Sequence, residues 1–273
     1  MNLKDILRSG VSEEIPHFVE RGNVMNAIYE TRGRAKEYCP LAVNLYQGCG
    51  HACVYCYGAK VTHQDERAFR ESPQPRAGII EGIRRDADRL RRNGQLGPVL
   101  MCFVTDPYQP INDKLKLTRS AIETLHYYGM MVTVLTKGGK RAEQDFDLLK
   151  PTDAFATTLT LHDSVQSLEW EPMAASPQER MDSLRHAHGL GIETWVSCEP
   201  VIDPVQTLEL IQLTAPYVDL FKVGTLNYHE HGKKIDWAAF ARKAERLLIS
   251  LKAHYYLKKD LAAYIGHPEG IRR

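Results

Sequence analysis

Asn44-Leu45-Tyr46-Gln47-Gly48-Cys49-Gly50-His51-Ala52-Cys53-Val54-Tyr55-Cys56-Tyr57 carries three cysteines at spacings of four and three. Thiolates this close on one loop can converge on a single inorganic centre. Three are one short of the four that close a structural zinc site or an ordinary iron–sulfur cluster. A cage with one open position makes chemical sense when a substrate or cosubstrate fills it. A zinc knuckle completed by His51 or His63 is the competing reading. Three thiols buried inside a strand do not fit, because the spacing is wrong and Gly48 and Gly50 interrupt any strand there.

Outward from this loop the chain alternates. Residues 41–46 predict a strand that runs into Gln47-Gly48 and the cysteines, and residues 59–76, charged and with two prolines, form a connecting excursion. Ile79, Ile80, Ile83, Ala87 and Leu90 mark one face of a helix over 77–92, stopped by Asn93-Gly94. Further strands are expected at 99–104, 131–135, 153–160, 194–198 and 218–223, with a short extra one at 255–257. Helices are expected at 118–128, 142–149 and 236–253. Another starts at Ser176-Pro177-Gln178-Glu179, a capping box with proline at the first helical position, and ends near Gly189. Apolar strands separated by amphipathic helices make a parallel sheet covered by helices. A doubly wound sheet and a barrel both satisfy that pattern. The polar and glycine-containing segments all follow strand C-terminal ends, which favours the barrel, whose sites are built on that rim. Residues 1–40 are read as an extension packed on the core, and residues 41–273 as one core domain with a C-terminal helix.

A chain of 273 residues with 43% hydrophobic and 25% charged residues is long enough for a substantial core and is not of disordered composition. A formal net charge of +1 exerts no global pull toward nucleic acid or anionic membrane. No apolar run approaches the length of a membrane span, the first residues lack a signal-peptide core, and a cytoplasmic protein with reduced thiols is expected.

The cysteine spacing, with an aromatic residue (Tyr55) just before the third cysteine, resembles the signature of the radical S-adenosylmethionine (radical SAM) enzymes. Thr105-Asp106-Pro107-Tyr108-Gln109-Pro110, Thr136-Lys137, Glu171-Pro172 and Arg180 are similar to the spore photoproduct lyase-like, DNA repair photolyase-related branch of that superfamily. The resemblance implies an α/β fold, a partial (β/α)6 TIM-type barrel. It implies a [4Fe-4S] cluster on Cys49, Cys53 and Cys56, with S-adenosylmethionine chelating the fourth iron. Reductive cleavage then releases a 5′-deoxyadenosyl radical that abstracts hydrogen from a substrate. A flavodoxin or ferredoxin is the expected reductant. The alternative is a zinc or iron–sulfur binding module without radical catalysis.

At matching positions the resemblance implies further contacts with S-adenosylmethionine. Thr105 and Asp106 would meet its amino group, and Lys137 its carboxylate. Thr158 would lie near the ribose or carboxylate, and Glu199 would accept from ribose hydroxyls. Arg180 stands in the first turn of a helix, where a cation needs an anionic partner. The carboxylate of S-adenosylmethionine and Glu171 both qualify. A DNA photolesion is the nearest named substrate, with other nucleic acids, peptides and small molecules open. The chain departs from the lyase pattern at the hydrogen-donating cysteine: Cys102 lies four residues before Asp106 and Phe103 takes the matching place. Either the strand bulges or Cys102 is a core thiol. Cys198 is a second candidate donor. Five arginines on the helix around Arg84–Arg92 could meet phosphates, but Asp86 and Asp88 make a solvated charged face the better reading.

Overall fold

The structure is a computed structural model and describes residues 26–273. Its main sheet contains β1 (Ile28–Glu30), β2 (Leu41–Val43), β5 (Pro98–Met101), β6 (Met131–Thr136), β7 (Ala154–Thr158), β8 (Glu193–Cys198), β9 (Leu220–Val223), β10 (Tyr255–Leu257) and β11 (Ile271–Arg272), hydrogen-bonded in that order. β3 (Tyr46–Gln47) and β4 (Gln74–Pro75) form a separate ribbon under the cysteine loop. The six expected strands are β2 and β5 to β9, each parallel to its neighbour, and β10 adds a seventh in the same sense. β1 and β11 close the two edges antiparallel. The fold is the α/β parallel arrangement of a partial barrel.

Helices cover the outside. α1 (Ile79–Arg92) buries Ile79, Ile83 and Ala87 on the apolar face visible in its sequence. Its Asp86 is also buried and accepts from the Ala27 and Ile28 N–H groups, at 2.5 and 3.1 Å, which fixes the start of β1. Arg85 and Arg89 pair with Asp86 and Arg92 with Asp88, and none of the five arginines lines the cavity described below. α2 (Leu117–Tyr127) precedes β6, and the helix expected at 142–149 is a 3-10 segment over Gly139–Leu148. α3 (Ser164–Trp170) and α4 (Pro177–Gly189) lie between β7 and β8, with the Ser176–Glu179 capping box formed in both directions. α5 (Pro204–Thr214) and α6 (Trp237–Ser250) complete the layer. One apolar cluster fills the space between strands and helices, with Leu125, Val134, Phe155, Val196, Phe221 and Leu248 inaccessible to solvent.

Of the residues read as an extension, 1–25 lie outside the described residues. Residues 26–40 contribute β1 and a 3-10 turn, Gly33–Glu37, which ties the β1–β2 edge to the β9–β10 edge. Lys222 on β9 donates to the Glu37 and Tyr38 carbonyls at 3.3 and 3.0 Å. Glu37 accepts from the Tyr256 hydroxyl at 2.8 Å, and Arg34 pairs with Asp260 at 2.6 Å. This clasp carries Tyr38 to the mouth of the barrel.

Candidate active site

The C-terminal ends of the parallel strands open on one cavity of about 170 Å3 that communicates with solvent. Cys49, Cys53, Cys56 and Tyr55 line it from the loop after β3, Thr105 and Asp106 from the loop after β5, Lys137 from the end of β6, Thr158 from β7 and Glu199 from beyond β8. These are all the residues expected at the site except Arg180.

The cysteine loop is held by backbone bonds. Gly48 at φ +81° brings the Cys49 N–H to the Phe69 carbonyl at 2.8 Å; a Cβ there would lie 2.6 Å from that oxygen, so glycine is required. The Val54 N–H donates to the Trp170 carbonyl at 2.8 Å and the Met173 N–H to the His51 carbonyl at 3.2 Å, so the start of the α3–α4 connection clamps the loop from above. Burial pushes the Cys49 thiol well up and the Cys53 thiol up to about 12. Such thiols become thiolates when a metal cation supplies the compensating charge. Among the described residues no three His, Cys, Asp or Glu side chains converge tightly enough to hold one metal ion. Three thiols on one loop form a donor set that would suit a cluster offering each thiolate its own metal atom.

Asp106 is occupied by the protein. Its Oδ1 accepts from the Tyr108 N–H at 2.8 Å and the Thr136 hydroxyl at 2.6 Å; its Oδ2 accepts from the Lys137 N–H at 2.7 Å and lies 3.3 Å from His51 Nδ1. Burial opposes its ionisation, but His51, Thr136 and the Lys137 N–H outweigh it and hold the carboxyl well below the usual range. Asp106 therefore ties the cysteine loop to the ends of β5 and β6. Lys137 differs. Its Nζ stands 5.7 Å over the Tyr55 ring and takes no hydrogen-bond partner among the described residues. Burial disfavours its charge, yet Cys53 and Glu171 keep the ammonium above the ordinary lysine value. An unpartnered cation in a cavity is a binding group for an anion.

Arg180 is buried behind the cavity wall. Its Nε donates to the Ala175 carbonyl at 2.8 Å, its Nη1 to the Thr158 carbonyl at 3.0 Å, and its Nη2 lies 2.5 Å from Glu171. Of its two possible partners, Glu171 is the one in contact. Thr158 ends β7 and lines the cavity, whereas Thr160, beyond the strand's end, does not.

The cavity's far wall contains residues that the sequence reading passed over. The Tyr38 hydroxyl donates to Glu199 Oε2 at 2.5 Å and lies 3.1 Å from Ser197 Oγ. Lys258 forms an ion pair with the same oxygen and places its Nζ 4.2 Å over the Tyr38 ring. Gly224 makes room for this carboxylate, since a Cβ there would come within 2.7 Å of Glu199 Cδ. Lys258 directly follows β10, so applying the strand-end rule to the short extra strand finds it. Tyr38 has no such signal, because the clasp that brings it there is tertiary.

Cys102 follows the end of β5 at φ +63°, buried, with the Leu45 N–H 3.5 Å from its Sγ, and it does not line the cavity. Since the strand ends at Met101, the side-chain alternation that puts Cys102 out of register stops before it reaches that residue. Cys198 is also buried away from the cavity. The cavity thus has no thiol beyond the three on the loop.

A parallel partial barrel that gathers three thiols and a free ammonium in one rim cavity defines an α/β enzyme built around a cofactor. The chain belongs to the radical SAM superfamily, whose family model matches residues 43–215, and it is a radical SAM enzyme. An uncharacterized protein of Methanocaldococcus jannaschii is 26% identical over 189 residues, 68% of this chain and 70% of that one. An uncharacterized protein of Mycobacterium tuberculosis (strain H37Rv) is 26% identical over 171 residues, 59% of this chain and 49% of its own length. A spore photoproduct lyase mutant solved with bound AdoMet and dinucleoside spore photoproduct aligns with TM-score 0.59 at 16% identity, over 81% of this chain and 66% of that one. SuiB of Streptococcus suis, bound to S-adenosylmethionine, aligns with TM-score 0.61 at 14% identity, over 82% of this chain and 52% of that one. At these identities the structural likeness concerns the fold, and the chain spans about half of the mycobacterial relative and of SuiB. No helix among the described residues is long and apolar enough to cross a membrane.

Proposed function

We propose that Cys49, Cys53 and Cys56 hold a [4Fe-4S] cluster and that S-adenosylmethionine binds beside it in the same cavity. The observation that carries this reading is that the three loop thiols and the Lys137 ammonium, unpartnered among the described residues, line one rim cavity. When bound, the reduced cluster supplies the electron for reductive cleavage of S-adenosylmethionine, which starts hydrogen abstraction from a substrate. Lys137 meets the cosubstrate's carboxylate. Thr105 and Thr158 face it from the strand ends, and Tyr55 packs beside the third cysteine. Glu199, oriented through Oε2 by Tyr38 and Lys258, accepts from ribose hydroxyls through Oε1. Asp106 orders the loop through His51 and Lys137 and so contributes to the amino-group site by position. Arg180 acts from behind, through Glu171.

A damaged nucleic acid is the first substrate class to test, supported by the spore photoproduct lyase neighbours solved with dinucleoside spore photoproduct. A peptide is the second, because SuiB was also solved with its precursor peptide SuiA. If a lesion is the substrate, Cys102 does not return the hydrogen, since it lies in the core. A flavodoxin or ferredoxin is the proposed reductant and the cytosol the proposed compartment. Residues 26–40 and 41–273 are proposed to fold as one unit through the clasp. The test is anaerobic: reconstitution with iron and sulfide, reduction by dithionite, addition of S-adenosylmethionine, and assay of 5′-deoxyadenosine and methionine. Formation that depends on all three cysteines is the expected result. Absence of cleavage, with zinc bound as purified, refutes the proposal in favour of a metal-binding module.

A further inference from the structure

Three charged side chains are linked to the cysteine loop through Tyr55, and binding of the cosubstrate accounts for only one of them. Glu171 and Arg180 pair at 2.5 Å with side chains at most 1% exposed. Such a pair adds little stability over apolar residues of the same volume, so its presence points to a charge requirement. Glu171 also accepts from the Tyr55 phenol, next to Cys56 in the chain, and Lys137 lies over the same ring. The segment carrying Glu171 is bonded to the cysteine loop through Trp170 and Met173, and to Lys137 through the Ala175 N–H at 2.9 Å. Lys137 and Cys53 line the same cavity, and Glu171 and Arg180 are paired behind its wall.

We infer that Lys137, Glu171 and Arg180 form a charge set that governs how readily the metal group held by Cys53 accepts its electron. The inference rests on the cluster reading above. Reduction adds one electron, taken from an external one-electron reductant, with no bond formed or broken and no proton moved. The added negative charge is favoured by nearby cations and opposed by nearby carboxylates. Glu171 and Arg180 are paired and offset each other, so Lys137 decides the sign, and Glu171 limits the size of the effect.

The test is a redox titration of the full chain, reconstituted with iron and sulfide and free of S-adenosylmethionine, with the reduced fraction read from its electron paramagnetic resonance signal. Lys137→Met lowers the ratio of reduced to oxidised protein at a fixed potential on the order of ten-fold, equivalent to about 59 mV for one electron. Glu171→Gln, which keeps an acceptor for Tyr55, raises that ratio, and Lys137→Arg restores the wild-type midpoint. Shifts of opposite sign with rescue by arginine are not produced by a loosened loop. If Glu171→Gln does not fold, Lys137→Met against Lys137→Arg decides alone. Unchanged midpoints, or shifts of one sign, in variants with wild-type iron content overturn the inference and leave the cluster reading intact. Wild-type protein that takes up no iron overturns both.

Discussion

Arg180→Met separates a structural partner of Glu171 from a direct ligand of the cosubstrate. The guanidinium is inaccessible, donates to the Ala175 and Thr158 carbonyls and neutralises Glu171. Its removal strands a buried carboxylate whose remaining partner is the Tyr55 hydroxyl. Breaking a buried pair from one side costs about 3–5 kcal/mol, to which two orphaned carbonyls contribute. With a urea slope of about 3 kcal/mol/M, the unfolding midpoint falls by about 1–1.7 M. In the native protein, burial raises the Glu171 pKa but Arg180, Lys137 and Tyr55 more than offset it, so the folded carboxyl titrates below its ordinary value. Without Arg180 the burial effect dominates and the folded carboxyl titrates above its unfolded value. A carboxyl in that state contributes least to stability above its folded pKa, so the deficit is full at pH 7.5 and shrinks as pH falls toward 5. Urea unfolding of wild type, Arg180→Met and Arg180→Met/Glu171→Gln at both pH values checks this, with the double variant recovering part of the loss. A single variant of wild-type stability that has lost only S-adenosylmethionine binding refutes the reasoning.

Cys53→Ala abolishes both the brown colour of reconstituted protein and 5′-deoxyadenosine formation; retention of both by an anaerobic preparation refutes the ligand assignment. Gly224→Ala drives a methyl to within 2.7 Å of Glu199 Cδ and displaces that carboxylate. It lowers S-adenosylmethionine affinity on the order of ten-fold at a stability cost of about 1–3 kcal/mol, and Glu199→Gln added to it causes little further loss of affinity in equilibrium binding. Burial holds Lys222 down to about 8, against an ordinary value of 10.5. Between those values the unfolded chain binds the extra proton, so wild-type stability rises with pH. Lys222→Met lacks that rise, and denaturation at pH 7.5 and 10.5 is expected to show a difference of up to about 3 kcal/mol.

The local signals were strong where one segment contains the whole pattern. The three-cysteine loop, the Ser176 capping box and the face of α1 are each specified by residues within a turn or two of one another, and the structure contains all three. α5 lies outside the expected helices although Asp203-Pro204 is a sound helix start, with the Asp203 carboxylate accepting from the Val205 and Gln206 N–H groups. Strand ends were overrun at 102–104 and 159–160, where apolar or β-branched residues continue past the last ladder bond.

By itself the sequence determined the class of sheet and three thiols on one loop, and it pointed to the strand-end rim, where the cavity lies. These follow from periodicity and from spacing inside one loop, which are local properties of the chain. Only the tertiary structure decided that Asp106 is consumed by His51, Thr136 and Lys137, that Arg180 faces Glu171, and that Cys102 lies in the core. It alone assembled Tyr38, Glu199 and Lys258, which are separated by 161 and 59 positions in the chain. The physical reason is that a carboxylate or a guanidinium has several chemically equivalent partners in a sequence. Burial and distance select among them, and both come into being only when the sheet closes.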